Sequence, residues 1–340
     1  MGKAVTVLAR LLAAFFAFLF VLSAAAFVFA FVARVHLLRP DPYKQALVEV
    51  DAYERAPAAL AELLAIGTGQ AGDGQTALFL QLEQEDYEIL FRRLLPRAWL
   101  QTQTETVVDN VFAAAAARGE GPTITISLLE LKQNLDGRAG GQALLDIIRR
   151  RPACSAGDLS ALTCGFDLSG AIQCRPPEAQ LQLCEEAASG AFTAAAATLP
   201  DEVTLSGLLP DGAPLRQFVE AAAGPYPALV RQTARFGWLA ALFFLLLVTV
   251  FGARSLRTLL LWWGAPAVAL GAILVLLALV TWLLPTWFLT YLLNDIRSAA
   301  PQLGQLLTDA VAVLGRRMAL WLGVAGVATG AGGLILALAG

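Results

Sequence analysis

Four cysteines carry the most chemical capacity in this chain, and they fall at Cys154, Cys164, Cys174 and Cys184, ten residues apart. Thiols at such positions can pair, hold a metal, or sit unreacted in a core. Structural zinc sites supply cysteines in close pairs such as C-x2-C, because a short knuckle aims two sulfurs at one ion. A uniform ten-residue step lacks that knuckle, and His36 is the sole histidine, so no metal site is assigned. Unreacted core thiols fit the burial habit of free cysteine. Two disulfides are the favoured reading, since all four cysteines lie in one long polar stretch and none in an apolar run, as in an oxidising compartment. Sequence alone permits three connectivities. Position favours Cys154–Cys174 with Cys164–Cys184: the first pair precede helix starts at Asp158 and at Pro176-Pro177, and the second pair follow a turn or two later.

Other candidate chemistry is weaker. Gly67-Thr68-Gly69-Gln70-Ala71-Gly72 matches G-x-G-x-x-G, but a dinucleotide site needs a strand before it. The preceding LAELLAI reads as helix, so a helix-to-helix loop is expected. Glu83, Glu85, Asp86 and Glu88 cluster in EQEDYE without the central glycine of a calcium loop, and read as a solvated helix face. Arg149-Arg150-Arg151 before Pro152 reads as the basic end of a helix. His36 has neither a cysteine nor a second histidine nearby and reads as an interfacial side chain. There is no H-E-x-x-H, G-x-S-x-G or G-x-x-x-x-G-K-[ST]. The sequence therefore gives no positive reason to propose an enzyme, and no cofactor is assigned.

The elements that position these residues are dominated by apolar helices. Of 340 residues, 57% are hydrophobic and 15% charged, with mean hydropathy +0.64; a soluble domain is nearer half apolar and a quarter charged. The net charge of -3 is too small to argue for nucleic acid or an acidic substrate. Four runs hold the excess: Leu11 to Val32, Phe236 to Phe251, Leu259 to Leu293, and Met318 onward. A helix crosses a bilayer core in about 20 residues, so four spans are predicted. Tryptophans 238, 262, 263, 282, 287 and 321 lie in or beside these runs, as interfacial anchors do. The first run also resembles a signal peptide, with Lys3, Arg10 and Ala24-Ala25-Ala26, but it is longer than a cleavable apolar core. A retained signal-anchor is the favoured reading.

The expected fold class is a membrane all-α protein, with four transmembrane helices and a mostly α extracytoplasmic domain carrying a small β element. The boundaries read as a signal-anchor over 1–35, a helical domain with two disulfides over 36–235, and a three-span region over 236–340 with an amphipathic connector at 294–317. Within the domain, Asp41-Pro42 opens an amphipathic helix broken near Pro57, and a helical stretch from Thr76 is interrupted by Pro96. Thr123 to Ser127 reads as a strand running into a helix with a Ser127–Glu130 capping box. EVTLSG after Pro200 reads as a second strand able to pair with the first. A helical stretch from Pro214 leads into the second span. The stripe of Leu303, Leu306, Leu307, Ala310 and Leu314 either lies on the membrane surface or extends the fourth span.

The spans hold no ionisable residue, Asn294 and Asp295 falling at the tail of the third run, which argues against ion- or proton-coupled transport. Gly323, Gly326, Gly330 and Gly333, with Ala325 and Thr329, give the last span a small-residue face for helix packing, in the same chain or another copy. The segments RRRPACSAGDLSAL, CRPPEAQLQL and LPDEVTL resemble a group of uncharacterised multipass membrane proteins of Chloroflexota-type bacteria. That resemblance implies one N-terminal span, a long external loop, further C-terminal spans, and a Cys154–Cys174 pair; it implies no activity.

These readings set the functional expectation. The chain is expected in the cell (inner) membrane, N-terminus cytoplasmic and residues 36–235 extracytoplasmic. Its partners would be the lipid bilayer and an envelope protein or further copies of itself, with no nucleic acid. Seven arginines (34, 39, 231, 235, 297, 316 and 317) would then lie outside, against the positive-inside bias; a long loop translocates largely regardless of charge, and the cysteines take precedence. A binding, scaffolding or organising role without catalysis is expected. The alternative is a homo-oligomeric pore or passive channel, motivated by the glycine face and the hydroxyls of Thr249, Thr281 and Thr290.

Overall fold

A computed structural model describes residues 2–68, 82–116, 125–136, 138–155, 174–204, 224, 226–252, 255–292, 297–298 and 300–340. Cys164, the loop after Thr68, the segment from Thr76 to Gln81, Thr123, Ile124, Pro214, Arg254, Asn294 and Asp295 lie outside them. Among the described residues four helices are long and apolar enough to cross a membrane, and the remainder is helical apart from one two-stranded sheet. The chain divides into two compact units, one of residues 1–46, 219–292 and 308–340, the other of 47–218 and 293–307.

The first unit contains helices α1 (Gly2–Leu37), α9 (Tyr226–Gly252), α10 (Leu256–Leu292) and most of α11 (Pro301–Ala339). α1 runs unbroken through Ala24–Ala26, where cleavage was the rival expectation. It lies antiparallel to α9: Phe16 stacks on Phe251 at 5.7 Å, and Gly237 sits against Phe27 at the other end. α9 and α10 form a hairpin. Ser255 and Thr258 cap α10 reciprocally, the Ser255 N–H donating to the Thr258 hydroxyl at 2.9 Å and the Thr258 N–H to the Ser255 hydroxyl at 3.3 Å. Across the hairpin Trp263 Nε1 donates to Thr249 Oγ1 at 3.0 Å. Val21, Ala24, Ala25, Leu270, Leu274, Met318 and Leu322 form the shared core, while Phe15, Phe18, Phe243 and Leu246 face outward. Apolar side chains outside as well as inside are what a hydrocarbon solvent demands.

The second unit begins in α2 (Pro40–Glu49) and continues through α3 (Ala52–Thr68), α4 (Gln84–Leu94), α5 (Arg97–Ala116), β1 (Thr125–Ser127), α6 (Leu129–Asp136), α7 (Arg138–Arg150), α8 (Glu178–Thr198) and β2 (Glu202–Thr204). The break expected near Pro57 falls instead at Asp51, whose φ of 51° is a left-handed value that aspartate tolerates better than most residues. Its carbonyl accepts the N–H groups of Glu54 and Arg55, each at 3.1 Å, so α3 starts there and runs through Pro57. The interruption at Pro96 falls as the sequence predicts, between α4 and α5.

The two strands pair antiparallel, Thr125 with Thr204, Ile126 with Val203 and Ser127 with Glu202. The following helix starts one residue later than a Ser127 cap requires. Leu128 takes the cap position, its carbonyl accepting the Lys132 N–H at 2.8 Å. The capping box that forms belongs to α4, between Glu83 and Asp86. Helices α4, α6, α7 and α8 enclose the core of this unit, with Leu90, Leu94, Leu144, Ile147, Ile148, Leu181 and Phe192 buried together. A smaller cluster gathers Tyr53, Leu95, Trp99 and Leu100.

Helix α11 is continuous from Pro301 to Ala339, so the expected connector is the start of the last span and not a separate surface helix. Its first turn is capped by a buried carboxylate: Glu62 Oε2 accepts the N–H groups of Gln302 at 2.9 Å and Leu303 at 3.3 Å. A helix N-terminus leaves such donors unsatisfied and carries partial positive charge, which explains how Glu62, 5% exposed, is tolerated in the interior.

Candidate functional site

Cys154 and Cys174 are joined, with S–S 2.06 Å and Cα–Cα 4.9 Å. The backbone closes the same junction as a parallel bridge between Ala153 and Arg175. Cys154 N–H donates to Arg175 O at 3.1 Å, and Arg175 N–H to Pro152 O at 2.7 Å. Cys184 is also disulfide-bonded and fully buried on α8; Cys164 lies outside the described residues. The junction is thus anchored at the end of α7 and the start of α8, the helices that wall the main core.

Arg151 extends this anchorage. It leaves the end of α7 and donates to Asp86 Oδ2 at 2.5 Å, while Asp86 Oδ2 accepts the Glu83 N–H at 2.9 Å. Asp86 is 5% exposed. The EQEDYE cluster is therefore not a wholly solvated face: its middle carboxylate is an interior tie. A helix-start reading of Glu83–Asp86 would have found it in the sequence. The G-x-G-x-x-G segment is preceded by helix α3, as the sequence reading required, and its last four residues lie outside the described residues. No group of three or more His, Cys, Asp or Glu side chains converges among the described residues.

The glycine face of α11 meets α10. A Cβ placed on Gly271 would lie 2.6 Å from the Gly330 Cα and from the Gly326 carbonyl oxygen, and one on Gly333 would lie 2.7 Å from the Val268 nitrogen. Gly323 is looser, with Ala278 Cβ at 3.8 Å. Gly271 and Gly264 on α10 complete this contact; they lie in an apolar run whose small residues drew no comment in the sequence. The hydroxyls of Thr249 and Thr281 bond back to the carbonyls of Leu245 and Leu277, each at 2.9 Å. The Thr290 side chain lies outside the described ones.

One cavity in the first unit combines charge with apolar surface. It measures about 320 Å³ and is lined by residues of α1 (Val35, His36), the α1–α2 junction and α2 (Arg39, Asp41, Pro42, Gln45), and α11 (Arg317, Leu320, Trp321). The rings of His36 and Trp321 lie 6.3 Å apart. Arg317 donates to Gln45 Oε1 at 2.7 Å, and Tyr43 Oη donates to Leu37 O at 3.0 Å. Burial pushes the Tyr43 phenol above its ordinary 10.0. Sequence reasoning noted His36, Arg39, Arg317 and Trp321 separately; the signal that joins them is that each flanks the charged end of a span. A second cavity, about 390 Å³, lies beside Lys132 and Thr193 in the other unit. There Lys132 Nζ already donates to Asp201 Oδ1 at 2.8 Å and to Leu199 O at 3.3 Å.

No family model, curated protein or solved structure matches the chain.

Proposed function

We propose that the chain is a multipass protein of a bacterial inner membrane that displays a disulfide-stapled helical domain, residues 36–235, on the outer side, with its N-terminus in the cytoplasm. The domain binds or organises other envelope components and performs no catalysis. The observation that carries this reading is the Cys154–Cys174 bond in the long segment between the first two membrane helices, because disulfides persist in oxidising compartments. The resemblance to Chloroflexota-type membrane proteins supports the same architecture. The pore reading loses its main motive: the glycines that would join copies are occupied by α10 of the same chain.

Intact cells treated with a membrane-impermeant maleimide test the placement. Labelling that appears only after reduction is the expected result. Thiols that label without reduction, and only after lysis, would place the domain in the cytoplasm and overturn the reading. For the binding role, cross-linking in native membranes is expected to capture the protein with a second component; a solitary monomer counts against it.

A further inference from the structure

The cavity shared by α1, α2 and α11 is lined by residues of the first unit alone, and its depth in a bilayer follows from two independent helices. α1 is free of charge from Leu11 to Val32 and then meets Arg34; α11 is free of charge from Met318 onward and is preceded by Arg316 and Arg317. Ionised side chains leave the hydrocarbon for the headgroups, so Arg34 after the run of α1 and Arg317 before the run of α11 mark an edge of the membrane. Two contacts put both edges at one level. His36 pairs with Trp321 at 6.3 Å, and Arg317 bonds Gln45 at 2.7 Å. Trp321, 60% exposed, occupies the depth at which tryptophan rings anchor.

At this level the cavity is amphipathic. Val35, Leu320 and Trp321 form its apolar wall, and Arg39, Asp41, Gln45 and Arg317 its polar one. The lining carries two guanidiniums and one carboxylate, an excess of positive charge along the cavity wall. The first turn of α2 contributes Asp41 and Pro42 and adds the positive end of a helix dipole. A soluble anion would not need the apolar wall, and an acyl chain would not need the arginines. We infer that this cavity seats the headgroup of an anionic phospholipid, its phosphate between Arg39 and Arg317 and its acyl chain along Leu320 and Trp321. A singly anionic lipid with a hydroxylated headgroup balances the excess charge and offers Asp41 a donor; a zwitterionic lipid leaves that charge uncompensated. Arginine is suited to the role because its planar fork matches phosphate oxygens.

The inference rests on the four helices crossing a bilayer but not on which side the domain occupies, so the maleimide result does not decide it. The test is native mass spectrometry of the full chain in detergent. Phosphatidylglycerol, phosphatidylethanolamine and soluble glycerophosphate are titrated separately. Phosphatidylglycerol is expected to bind most tightly. Arg39→Gln is expected to weaken it about fivefold, the effect of one basic residue at an anionic surface, with no change in thermal unfolding. Arg231→Gln, a charge removed outside the cavity, is expected to leave binding unchanged. Arg317→Lys keeps the charge but not the fork and is expected to fall between. Equal retention of phosphatidylethanolamine, glycerophosphate binding as tight as the lipid, or an equal loss in Arg231→Gln overturns the inference. A chain that stays soluble and lipid-free without detergent would instead sink the membrane reading itself.

Discussion

Tyr53 and Trp99 share a small core cluster, and neither the Tyr53 hydroxyl nor the Trp99 indole N–H finds a hydrogen-bond partner among the described residues. An unsatisfied buried polar group costs about 1–3 kcal/mol, so Tyr53→Phe is expected to raise stability by about 1 kcal/mol in denaturant titration. A loss of stability would show that the hydroxyl is bonded after all. Burial, and then the Glu105 carboxylate, push the Tyr53 phenol above 10.0 in the folded protein. The unfolded chain therefore loses that proton first as pH rises, and stability falls from about pH 10 upward. Tyr53→Phe removes its share of that slope, while the share of Tyr43, shifted the same way, remains. Asp86 and Arg151 show the opposite case, a buried charge with its partner in place. Asp86→Asn is expected to cost about 2–3 kcal/mol, because Arg151, whose side chain is 20% exposed, loses its nearer carboxylate, with Glu83 left at 3.8 Å. Asp86→Leu combined with Arg151→Met should recover more than half of that loss, and a double-mutant cycle measures it.

At Gly264, Gly271 and Gly333 the backbones of α10 and α11 approach so closely that no side chain fits. Gly271→Ala would place a methyl 2.6 Å from the Gly330 backbone, and overpacking of this kind costs about 1–3 kcal/mol. Gly190 in α8 has nothing within 4 Å of a Cβ position among the described residues; Gly190→Ala is expected to gain about 0.5–1 kcal/mol from helix propensity alone. Thermal unfolding in one detergent separates the two, and equal effects would mean the α10–α11 contact is looser than described. The four long helices were legible because charge-free runs of that length have few other uses. The two strands were legible from β-branched residues bounded by turns. The break at Asp51 was hidden, since an aspartate with positive φ leaves no pattern while a proline advertises itself. The α11 cap was hidden too: Glu62 and Gln302 are far apart in sequence, and only the folded chain brings them together.

At the scale of the molecule, the Cys154–Cys174 bond closes a loop with a sequence separation of 20 residues. By chain entropy it is worth about 3 kcal/mol. Replacing both Cys154 and Cys174 by serine is therefore expected to destabilise the 47–218 unit by about that much in denaturant, while hydrogen exchange in α9 and α10 stays slow; simultaneous loss of both would show that the units do not unfold separately. The cysteine spacing named the residues, whereas the interfacial cavity was not legible, because its walls come from α1, α2 and α11 and no local window contains them. The pairing of α1 with α9 also sets a schedule. α1 ends at Leu37 and α9 starts at Tyr226. At about 5–20 residues per second of synthesis, that gap lasts on the order of ten to forty seconds, during which α1 has only lipid for company. Its mean hydropathy of 2.7 exceeds the 2.1, 2.4 and 1.9 of α9, α10 and α11, which follow one another closely and can shelter together on arrival. The helix with the longest wait carries the most apolar stretch of the four.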